Sequence, residues 1–322
     1  MKLTIGFITY ENLTAKYLPF FLPSLTTACL NCNDEIKIVA IDNSKNKNNK
    51  NTEFIKLNYP KIEIKSLEKN IGFARAYNKM IKKASIENSK YFLMLNPDTI
   101  LEPSAIKEMI VKMEKNQNLS SVSPRIFKFY LYKNNNNYQI KKTNIIDTYG
   151  IKLHTGLRFR DLGENQVDNN QFKNKKIIGP SGAAGMYRMD ALEKIKQKNE
   201  QYFDEEMFMY KEDCDLAYRL FLAGFESCFV DRAIVYHNRT GAGVGRGNLK
   251  TAWNRIEKSK QVKKWSFLNQ HIIFIKYWHL QNWKNKLAII WYELKVIIFI
   301  LIFEQYLLLE YKKIFKYFLK KI

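Results

Sequence analysis

Apolar runs typical of strands alternate with helical patterns along the first 245 residues, and this alternation is the strongest constraint on the fold. The strand-like runs include "LTIGFITY", "EIKIVAIDNS", "KIEIKSL" and "KYFLML". Between them lie segments such as "SAIKEMIVKMEKN", in which Ile106, Met109, Ile110 and Met113 fall on one helical face. Such alternation is typical of βαβ units and predicts an α/β fold with a mostly parallel central sheet flanked by helices.

Polar side chains follow the apolar runs at the points where the strands should end. They are Thr9, Tyr10, Glu11, Asn12, Asp42, Asn43, Ser44, Asn96, Asp98 and His237, and Pro97 lies between Asn96 and Asp98. A single strand-terminal Asp is more often part of a turn than a ligand. The carboxyl ends of parallel strands, however, share one edge of the sheet, where open α/β sheets bind their ligands. Four polar strand ends therefore predict a binding site at that edge.

The second half of the α/β region is less regular. We expect the polar stretches "KNKNNKNTEF" and "YKNNNNYQIKK" to be loops, the second of them mobile. The stretch "DTYGIKLHTGLRFRDLGE" is expected to form a β-hairpin or flap, and residues 130–176 an insert. "IIGPSGAAGMYRMDALEKI" predicts a strand, a tight turn of small residues, a second strand and a helix. "FMYKEDCDLAYRLFLAG" predicts a helix that ends near Gly224, and a glycine-rich loop is expected after His237.

Three carboxylates, Glu212, Asp213 and Asp215, lie within four residues of one predicted helix. Clustered carboxylates raise one another's pKa, which suits a general base. Adjacent helical residues point about 100° apart, so Glu212 and Asp213 cannot both face one atom. Asp215 and Arg219 have the spacing of a helix-surface ion pair. The alternative for the cluster is a charged, solvated helix face.

The chain carries a net charge of +22, which favours polyanionic partners. From residue 245 onward, 16 Lys and Arg stand against four Glu, and four of the five Trp follow residue 260. Residues 287–309 are long and apolar enough to approach a membrane span, but Glu293, Lys295 and Glu304 interrupt them. We expect this region to lie on an anionic membrane surface. A span, a soluble helical subdomain and an oligomer contact are the alternatives.

The order and spacing of seven segments between residues 3 and 245 resemble one family. The segments are "FITYEN", "AIDNS", "NIGFARAYN", "LMLNPDT", "GPSGAAGMYRMDAL", "YFDEEMFMYKEDCDLAYRL" and "VYHNRTGAG". Together they look like a family 2 glycosyltransferase with the nucleotide-sugar-binding GT-A fold, in the rhamnosyltransferase-like branch of cell-surface polysaccharide synthesis.

The resemblance implies a Mg²⁺ or Mn²⁺ site. It makes Asp98 the direct metal ligand, with His237 completing the shell; a turn histidine is the alternative for His237. The family's metal motif is usually Asp-x-Asp, and here Asn96 stands at its first position. That departure leaves Asn96 to touch the metal or the sugar through its amide, and it leaves the metal weakly held without nucleotide.

The resemblance also assigns a donor site and a base. Asp213, with Glu212 beside it, is the expected general base. Asp42 should accept the base N–H of uracil or thymine, and Thr9, Tyr10 and Glu11 should pack against base and ribose. The other expected donor-binding residues are Ser44, Gly72, Arg75, Asn96, Gly182 and Ala183. For Arg75, a solvent-facing helical arginine is the alternative.

These observations predict an inverting glycosyltransferase that moves a sugar from a UDP- or dTDP-sugar to a lipid-linked or oligosaccharide acceptor. We expect a GT-A domain over residues 1–247 and a membrane-associating helical region over 248–322. The protein should lie in the cytoplasm, attached peripherally to the inner face of the cell membrane. A homo-oligomer is left open. The alternatives are an inactive nucleotide-binding scaffold and a nucleic-acid-binding protein; the tail couples Lys to aliphatic runs, which disfavours nucleic acid.

The "CLNC" pair has zinc-ligand spacing but no second pair, so free thiols are expected.

Overall fold

A nine-stranded mixed sheet forms the centre of the protein, in a computed structural model that describes residues 2–135, 137–173, 175–197, 199–239 and 259–321. The strands are β1 (Lys2–Thr9), β2 (Glu35–Asp42), β3 (Glu63–Ser66), β4 (Tyr91–Leu95), β5 (Thr99–Leu101), β6 (Leu119–Asn134), β7 (Asn137–Thr148), β8 (Ile151–His154), β9 (Arg158–Asp161), β10 (Ala184–Arg188) and β11 (Glu226–His237). The sheet order is β3-β2-β1-β4-β10-β6-β11-β5, with β7 paired to β6, while β8 and β9 form a separate hairpin.

Helices cover both faces of the sheet. They are α1 (Glu11–Ala15), α2 (Leu18–Leu30), α3 (Lys50–Asn58), α4 (Phe73–Ile86), α5 (Ala105–Lys115), α6 (Met189–Lys194), α7 (Glu212–Leu222), α8 (Lys260–Tyr277), α9 (Trp283–Phe303) and α10 (Glu310–Lys321). Short 3₁₀ turns at Trp278–Leu280 and Gln305–Leu309 separate the last three. The predicted α/β class and its mostly parallel sheet are confirmed.

Strand β4 explains the layering. All five of its residues are buried, and their side chains alternate between two cores. Leu93 and Leu95 pack with α2 and α5 on one face, whereas Phe92 and Met94 pack with α4 and α7 on the other. A strand covered on both faces needs a continuous apolar run rather than an alternating one, which "YFLML" supplies; its one polar group, the Tyr91 hydroxyl, donates to Glu114 at 3.0 Å.

The polar strand ends share one edge, as predicted. Strands β2, β1 and β4 are parallel neighbours, with Thr9 in register with Asp42. Strand β10 runs antiparallel between β4 and β6, and β11 is parallel to β6. His237, at the end of β11, therefore lies on the same edge as Asn96.

Two predicted loops are wrong. "KNKNNKNTEF" contains the start of α3, because Asn49 caps that helix through hydrogen bonds from the Asn51 and Thr52 amides. "YKNNNNYQIKK" is the tip of a long antiparallel hairpin, in which Asn134 pairs with Asn137. Asn135 has a φ of +42°, and Asn tolerates this left-handed conformation, so Asn135 serves as a turn residue of the hairpin. The β8–β9 hairpin and the end of α7 before Gly224 are confirmed.

The C-terminal helices share a hydrophobic core with the α/β part. Ile273 and Tyr277 of α8 pack with Tyr218 of α7 and Phe159 of β9, and Ile289 of α9 joins the same cluster. The glycine-rich segment and the predicted boundary at residue 247 lie outside the described residues, so the division into two regions stays a prediction.

Within the described ranges, none of the helices combines the length and the apolar character that crossing a membrane requires.

Candidate functional site

A histidine and an aspartate meet at the edge of the sheet. Asp98 follows β4 and His237 ends β11, and the two are brought together by the antiparallel pairing of Thr99 in β5 with His237. The His237 Nε2 lies 3.3 Å from the Asp98 Oδ1. His237 is buried, whereas the Asp98 side chain keeps 21% of its surface exposed. The pair predicted to bind a metal is therefore assembled, with one open side.

The other ring nitrogen of His237 contacts a third carboxylate. Its Nδ1 lies 2.9 Å from the Oδ2 of Asp147, a fully buried residue of β7. Burial by itself would lower the pKa of His237, but the charges of Asp98 and Asp147 outweigh it and raise the pKa to about 10. A carboxylate that contacts one nitrogen of an imidazole fixes the orientation of the ring, and so it fixes the direction in which the other nitrogen points. Asp147 thus orients the histidine toward Asp98.

Arg239 extends this group of charges. Its guanidinium lies 3.3 Å from the Oδ1 of Asp147, 2.9 Å from Asp161 and 3.0 Å from Glu164. Burial raises the pKa of Glu164, and the charge of Asp161 adds to that effect. Asp147, Asp161, Glu164 and Arg239 were missed by the sequence reasoning. Their only local signal was the acidic residues of the predicted flap, which gave no reason to connect them with His237.

The described residues contain no group of three or more His, Cys, Asp or Glu side chains arranged to hold a metal ion. Asp98 and His237 offer two ligands on the partly open side of the site, one carboxylate oxygen and, once an ion has displaced its proton, one imidazole nitrogen. Divalent cations such as Mg²⁺ are commonly held by one or two protein groups together with substrate phosphates and water. The residues present fit that kind of shared site rather than a closed protein cage.

Asp213 and Glu212 begin α7 in different surroundings. Asp213 accepts hydrogen bonds from the Gly182 amide at 2.9 Å and the Cys214 amide at 2.8 Å. Burial raises its pKa, and these two amides moderate the rise. Glu212 is buried, and its Oε2 has no hydrogen-bond partner among the described atoms. Burial and repulsion from Asp213 raise the pKa of Glu212 well above the usual value.

The third carboxylate of the cluster has a different role. Asp215 is fully buried and lies 2.9 Å from Arg219 and 2.5 Å from Lys276, and the Tyr277 hydroxyl donates to it at 2.7 Å. Burial opposes ionisation, but Arg219 and Lys276 outweigh it and lower the pKa of Asp215 to about 2. The predicted Asp215–Arg219 pair is present, but Asp215 is buried rather than on a solvated face, and its contacts with Lys276 and Tyr277 join α8 to α7.

A strained turn precedes the two carboxylates. Tyr210 and Lys211 have φ angles of +72° and +71°, a conformation that costs non-glycine residues about 1–3 kcal/mol each. The Asn269 side chain of α8 donates hydrogen bonds to the carbonyl oxygens of Met209 at 2.9 Å and Tyr210 at 2.6 Å. Asn269 therefore holds the turn that sets the start of α7.

The predicted turn of small residues joins the two parts of the site. The backbone N–H of Asn96 donates to the Ala183 carbonyl oxygen at 2.9 Å, and the backbone N–H of Gly182 donates to the Asp213 carboxylate. A Cβ added at Gly182 would lie 3.4 Å from the Asp213 Oδ2. The same turn thus contacts the end of β4 and the expected base.

Asp42 organises the other half of the edge. Its Oδ1 accepts hydrogen bonds from the Thr9 and Ser44 hydroxyls, both at 2.8 Å, and its Oδ2 accepts one from Asn49 at 2.8 Å. Ser44 in turn accepts a hydrogen bond from the Glu11 amide at 2.7 Å. Asp42 is fully buried, so it orders the turns after β1 and β2. Direct contact of Asp42 with a base stays a prediction, as do the contacts expected of Tyr10 and Glu11.

Gly72 and Arg75 contact the protein rather than an open pocket. Gly72 has a φ of +84°, and a Cβ there would lie 2.6 Å from the Phe208 carbonyl oxygen. The close approach that the sequence predicted at Gly72 is thus made by Phe208, which lies just before the strained turn. The Arg75 Nε lies 3.3 Å from the Glu205 Oε2, with 57% of the side chain exposed. Its contact with a diphosphate stays a prediction.

Electrostatic contacts connect the two halves of the site. Burial raises the pKa of Tyr210, and Glu212 and Asp98 raise it further, so both carboxylates act on one phenol. Asp161, which pairs with Arg239, also contributes to the raised pKa of Asp213. The metal-ligand candidates and the base candidates are thus near enough for their charges to influence the same side chain.

A mostly parallel sheet with these groups at its carboxyl edge is the GT-A fold of nucleotide-sugar-binding proteins. The chain belongs to glycosyl transferase family 2, whose sequence model matches residues 4–196.

Two solved structures, GalNAc-T7 and PcManGT, show the same fold. GalNAc-T7, crystallised with UDP, GalNAc and Mn²⁺, has a TM-score of 0.53 at 14% identity, covering 74% of this chain and 44% of that one. The mannosyltransferase PcManGT from Pyrobaculum calidifontis, in complex with GDP-Man and Mn²⁺, has a TM-score of 0.50 at 11% identity, covering 85% and 64%. TarS 1-349 from S. aureus has a TM-score of 0.47 at 17% identity, covering 85% and 72%. This chain thus spans less than half of the GalNAc-T7 chain. No curated protein matched the sequence.

Proposed function

We propose that this protein is an inverting glycosyltransferase that moves a hexosyl or rhamnosyl group from a UDP- or dTDP-sugar to a hydroxyl of a lipid-linked or nascent surface glycan. One observation carries the proposal. The Asp98–His237 pair and the Gly182–Asp213 contact lie at one edge of the sheet and are joined through the turn of small residues. Family membership supports the same reading.

Asp213 is the proposed base. Its carboxylate would take the proton of the acceptor hydroxyl while that oxygen bonds to the anomeric carbon of the donor. The bond from that carbon to the diphosphate oxygen breaks in the same step, and the nucleoside diphosphate leaves. One displacement inverts the anomeric configuration. A raised pKa makes a carboxylate a stronger base, which suits this role.

Asp98 and His237 would hold Mg²⁺ or Mn²⁺, with Asn96 nearby. The ion, when bound, neutralises the charge of the departing diphosphate. Asp147 keeps the His237 ring oriented for this site. Two of the structural relatives were crystallised with Mn²⁺, and their ligands include UDP and GDP-Man, which supports a nucleotide-diphosphate donor.

The donor nucleoside would lie against the turns after β1 and β2. Those turns are held in place by Asp42 with Thr9 and Ser44, so the pocket needs little ordering when the donor binds. Arg75 is exposed and bears a cation suited to phosphate, and would have to leave Glu205 to reach it.

Release of UDP or dTDP from a panel of nucleotide sugars tests the proposal. We expect turnover of at least one UDP- or dTDP-sugar with Mn²⁺ or Mg²⁺, and its loss on chelation. Tight nucleotide binding without turnover of any donor, with any glycan acceptor, would instead support an inactive scaffold.

A further inference from the structure

Helix α9 exposes an apolar face along its whole length. Leu287, Ile290, Trp291, Leu294, Ile298 and Ile302 follow helical spacing, and each is exposed. Trp291 and Ile302 retain 61% and 62% of their surface. A contiguous face of this kind on a folded protein marks an interaction surface.

The opposite face of α9 is already covered. Ile289 and Ile300 are buried, and the Glu293 carboxylate lies 2.7 Å from His271 of α8. Glu304, just after α9, lies 3.0 Å from Lys263. The helix is therefore apolar on its outer side as well as its inner side. Because the described part of the chain covers only the inner side, the outer side is available to another apolar environment.

Helix α10 adds apolar and basic groups to this region. Phe315, Phe318 and Leu319 are exposed on it, with the exposed Lys312 and Lys316 on the same helix. Phe318 also lines an apolar groove of about 280 Å³ with Phe274 and Trp278.

Lysines accompany the exposed tryptophans of α9. Lys284 lies 5.6 Å from the ring of Trp283, and Lys295 lies 5.1 Å from the ring of Trp291. An apolar stripe bordered by tryptophan and lysine matches a lipid interface, where acyl chains meet the rings and headgroup phosphates meet the ammonium groups. A second copy of the chain would bring like charges together, and nucleic acid would leave the aliphatic side chains uncovered.

We propose that the outer face of α9, with the apolar and basic groups of α10, docks the protein on an anionic phospholipid surface. Helix α9 lies in the plane of the interface, because its inner face remains attached to α8. Cytoplasmic leaflets carry the anionic lipids that this charge pattern favours, so the docked protein lies on the inner face of the cell membrane. This inference does not depend on the proposed glycosyl transfer.

Flotation of the full chain with vesicles tests the inference. We expect binding to phosphatidylglycerol mixed with phosphatidylcholine, and much weaker binding to phosphatidylcholine alone. Trp291→Glu combined with Ile298→Glu should abolish flotation. Lys312→Glu combined with Lys316→Glu should weaken binding to the anionic vesicles by about tenfold or more, because each cation near such a surface contributes to the affinity.

A matched control uses exposed apolar residues of the α/β part. Leu57→Glu combined with Ile86→Glu changes side chains that are 82% and 71% exposed, and it should leave flotation unchanged. Unchanged thermal unfolding of all variants shows that each is folded. The proposal is overturned if the Trp291 and Ile298 variant floats like the wild type, or if neutral and anionic vesicles bind equally. It is also overturned if that variant instead converts a dimer to a monomer in light scattering, since the face would then join two copies.

Discussion

At the residue scale, His237 lies between two carboxylates, one in the turn between β4 and β5 and the other in β7. Asp98 lies 3.3 Å from its Nε2, and Asp147 lies 2.9 Å from its Nδ1. The first carboxylate is partly exposed and the second fully buried. Asp98 is thus placed to share an ion with a ligand, while Asp147 is placed to hold the ring.

Asp147→Asn should weaken Mn²⁺ binding by about 10- to 100-fold, because the ring loses the carboxylate that orients it. Titration calorimetry with Mn²⁺ and UDP measures this directly. Asp161→Asn is the matched control, since Asp161 contacts Arg239 but no contact with His237 is seen. Equal losses of Mn²⁺ affinity in both variants would mean that the Arg239 network, rather than the Asp147 contact with His237, supports metal binding.

Asp213→Asn should lower turnover by about 100-fold or more while donor binding survives, because the amide keeps the shape but cannot accept a proton. Steady-state rates and UDP affinity separate the two effects. Turnover within about threefold of the wild type would move the base to Glu212 or elsewhere.

The pH profile checks the same residue. The pKa of Asp213 is raised, chiefly by burial, so its carboxylate is lost at a higher pH than that of an ordinary aspartate. Activity should therefore fall as the pH drops through this raised pKa, and the acidic limb should lie above the usual value of 3.8. A rate that stays constant down to that value contradicts the assignment.

At the element scale, α8 behaves as part of the α/β fold. Asn269 holds the carbonyl groups before α7, and Lys276 and Tyr277 hold Asp215 within α7. The tail that should meet a membrane is therefore connected to the helix that carries the base. These contacts join α8 to the α/β part, and the division of the chain at residue 247 stays a prediction.

Asn269→Leu should lower the turnover number more than it changes the KM for the donor, because the strained turn before Asp213 loses its support. Gln270→Leu is the control, since Gln270 is a buried amide of the same helix that donates instead to the Leu157 carbonyl oxygen at 3.1 Å. Similar kinetic losses in both variants would indicate general damage to α8 rather than a specific role for the turn.

Asp215→Asn should destabilise the protein by about 3–5 kcal/mol at neutral pH, since Lys276 and Arg219 lose a buried partner. The folded pKa of about 2 is below the usual 3.8, so the charge stabilises the fold above about pH 4. That contribution is lost as the pH falls toward 2. Urea unfolding should therefore show a large difference from the wild type at pH 7 and a smaller one at pH 3. Asp190→Asn, which changes an exposed carboxylate, serves as the control. A difference in unfolding free energy between Asp215→Asn and the wild type that does not change with pH would contradict the account.

The sequence was sufficient for the elements whose signal is local. Continuous apolar runs identified β1, β2 and β4, and parallel pairing then placed Thr9, Asp42 and Asp98 on one edge. The β6–β7 hairpin was missed because its asparagine tip was interpreted by composition, although Asn is also a turn residue. Asp147 and Asn269 were missed because their partners are 90 and about 60 residues away. Contacts between such distant segments leave no periodic pattern.

At the scale of the whole molecule, one sheet edge holds the proposed chemistry and one helical region carries the proposed membrane surface. Family membership and the GT-A fold agree with the first part. The shared core of α7, α8 and α9 connects the two parts, so a docked protein would have its base a few helices from the lipid. That arrangement suits an acceptor held at a membrane.

The most direct test of the central claim is calorimetric binding of UDP and dTDP, with and without Mn²⁺, to the wild type and to Asp98→Ala. We expect Mn²⁺ to strengthen nucleotide binding to the wild type and to have no effect on the variant, which should still unfold cooperatively because His237 keeps its contact with Asp147. Asp190→Ala, which removes an exposed carboxylate from α6, should behave like the wild type. Nucleotide binding that depends on Mn²⁺ equally in wild type and Asp98→Ala would contradict the account.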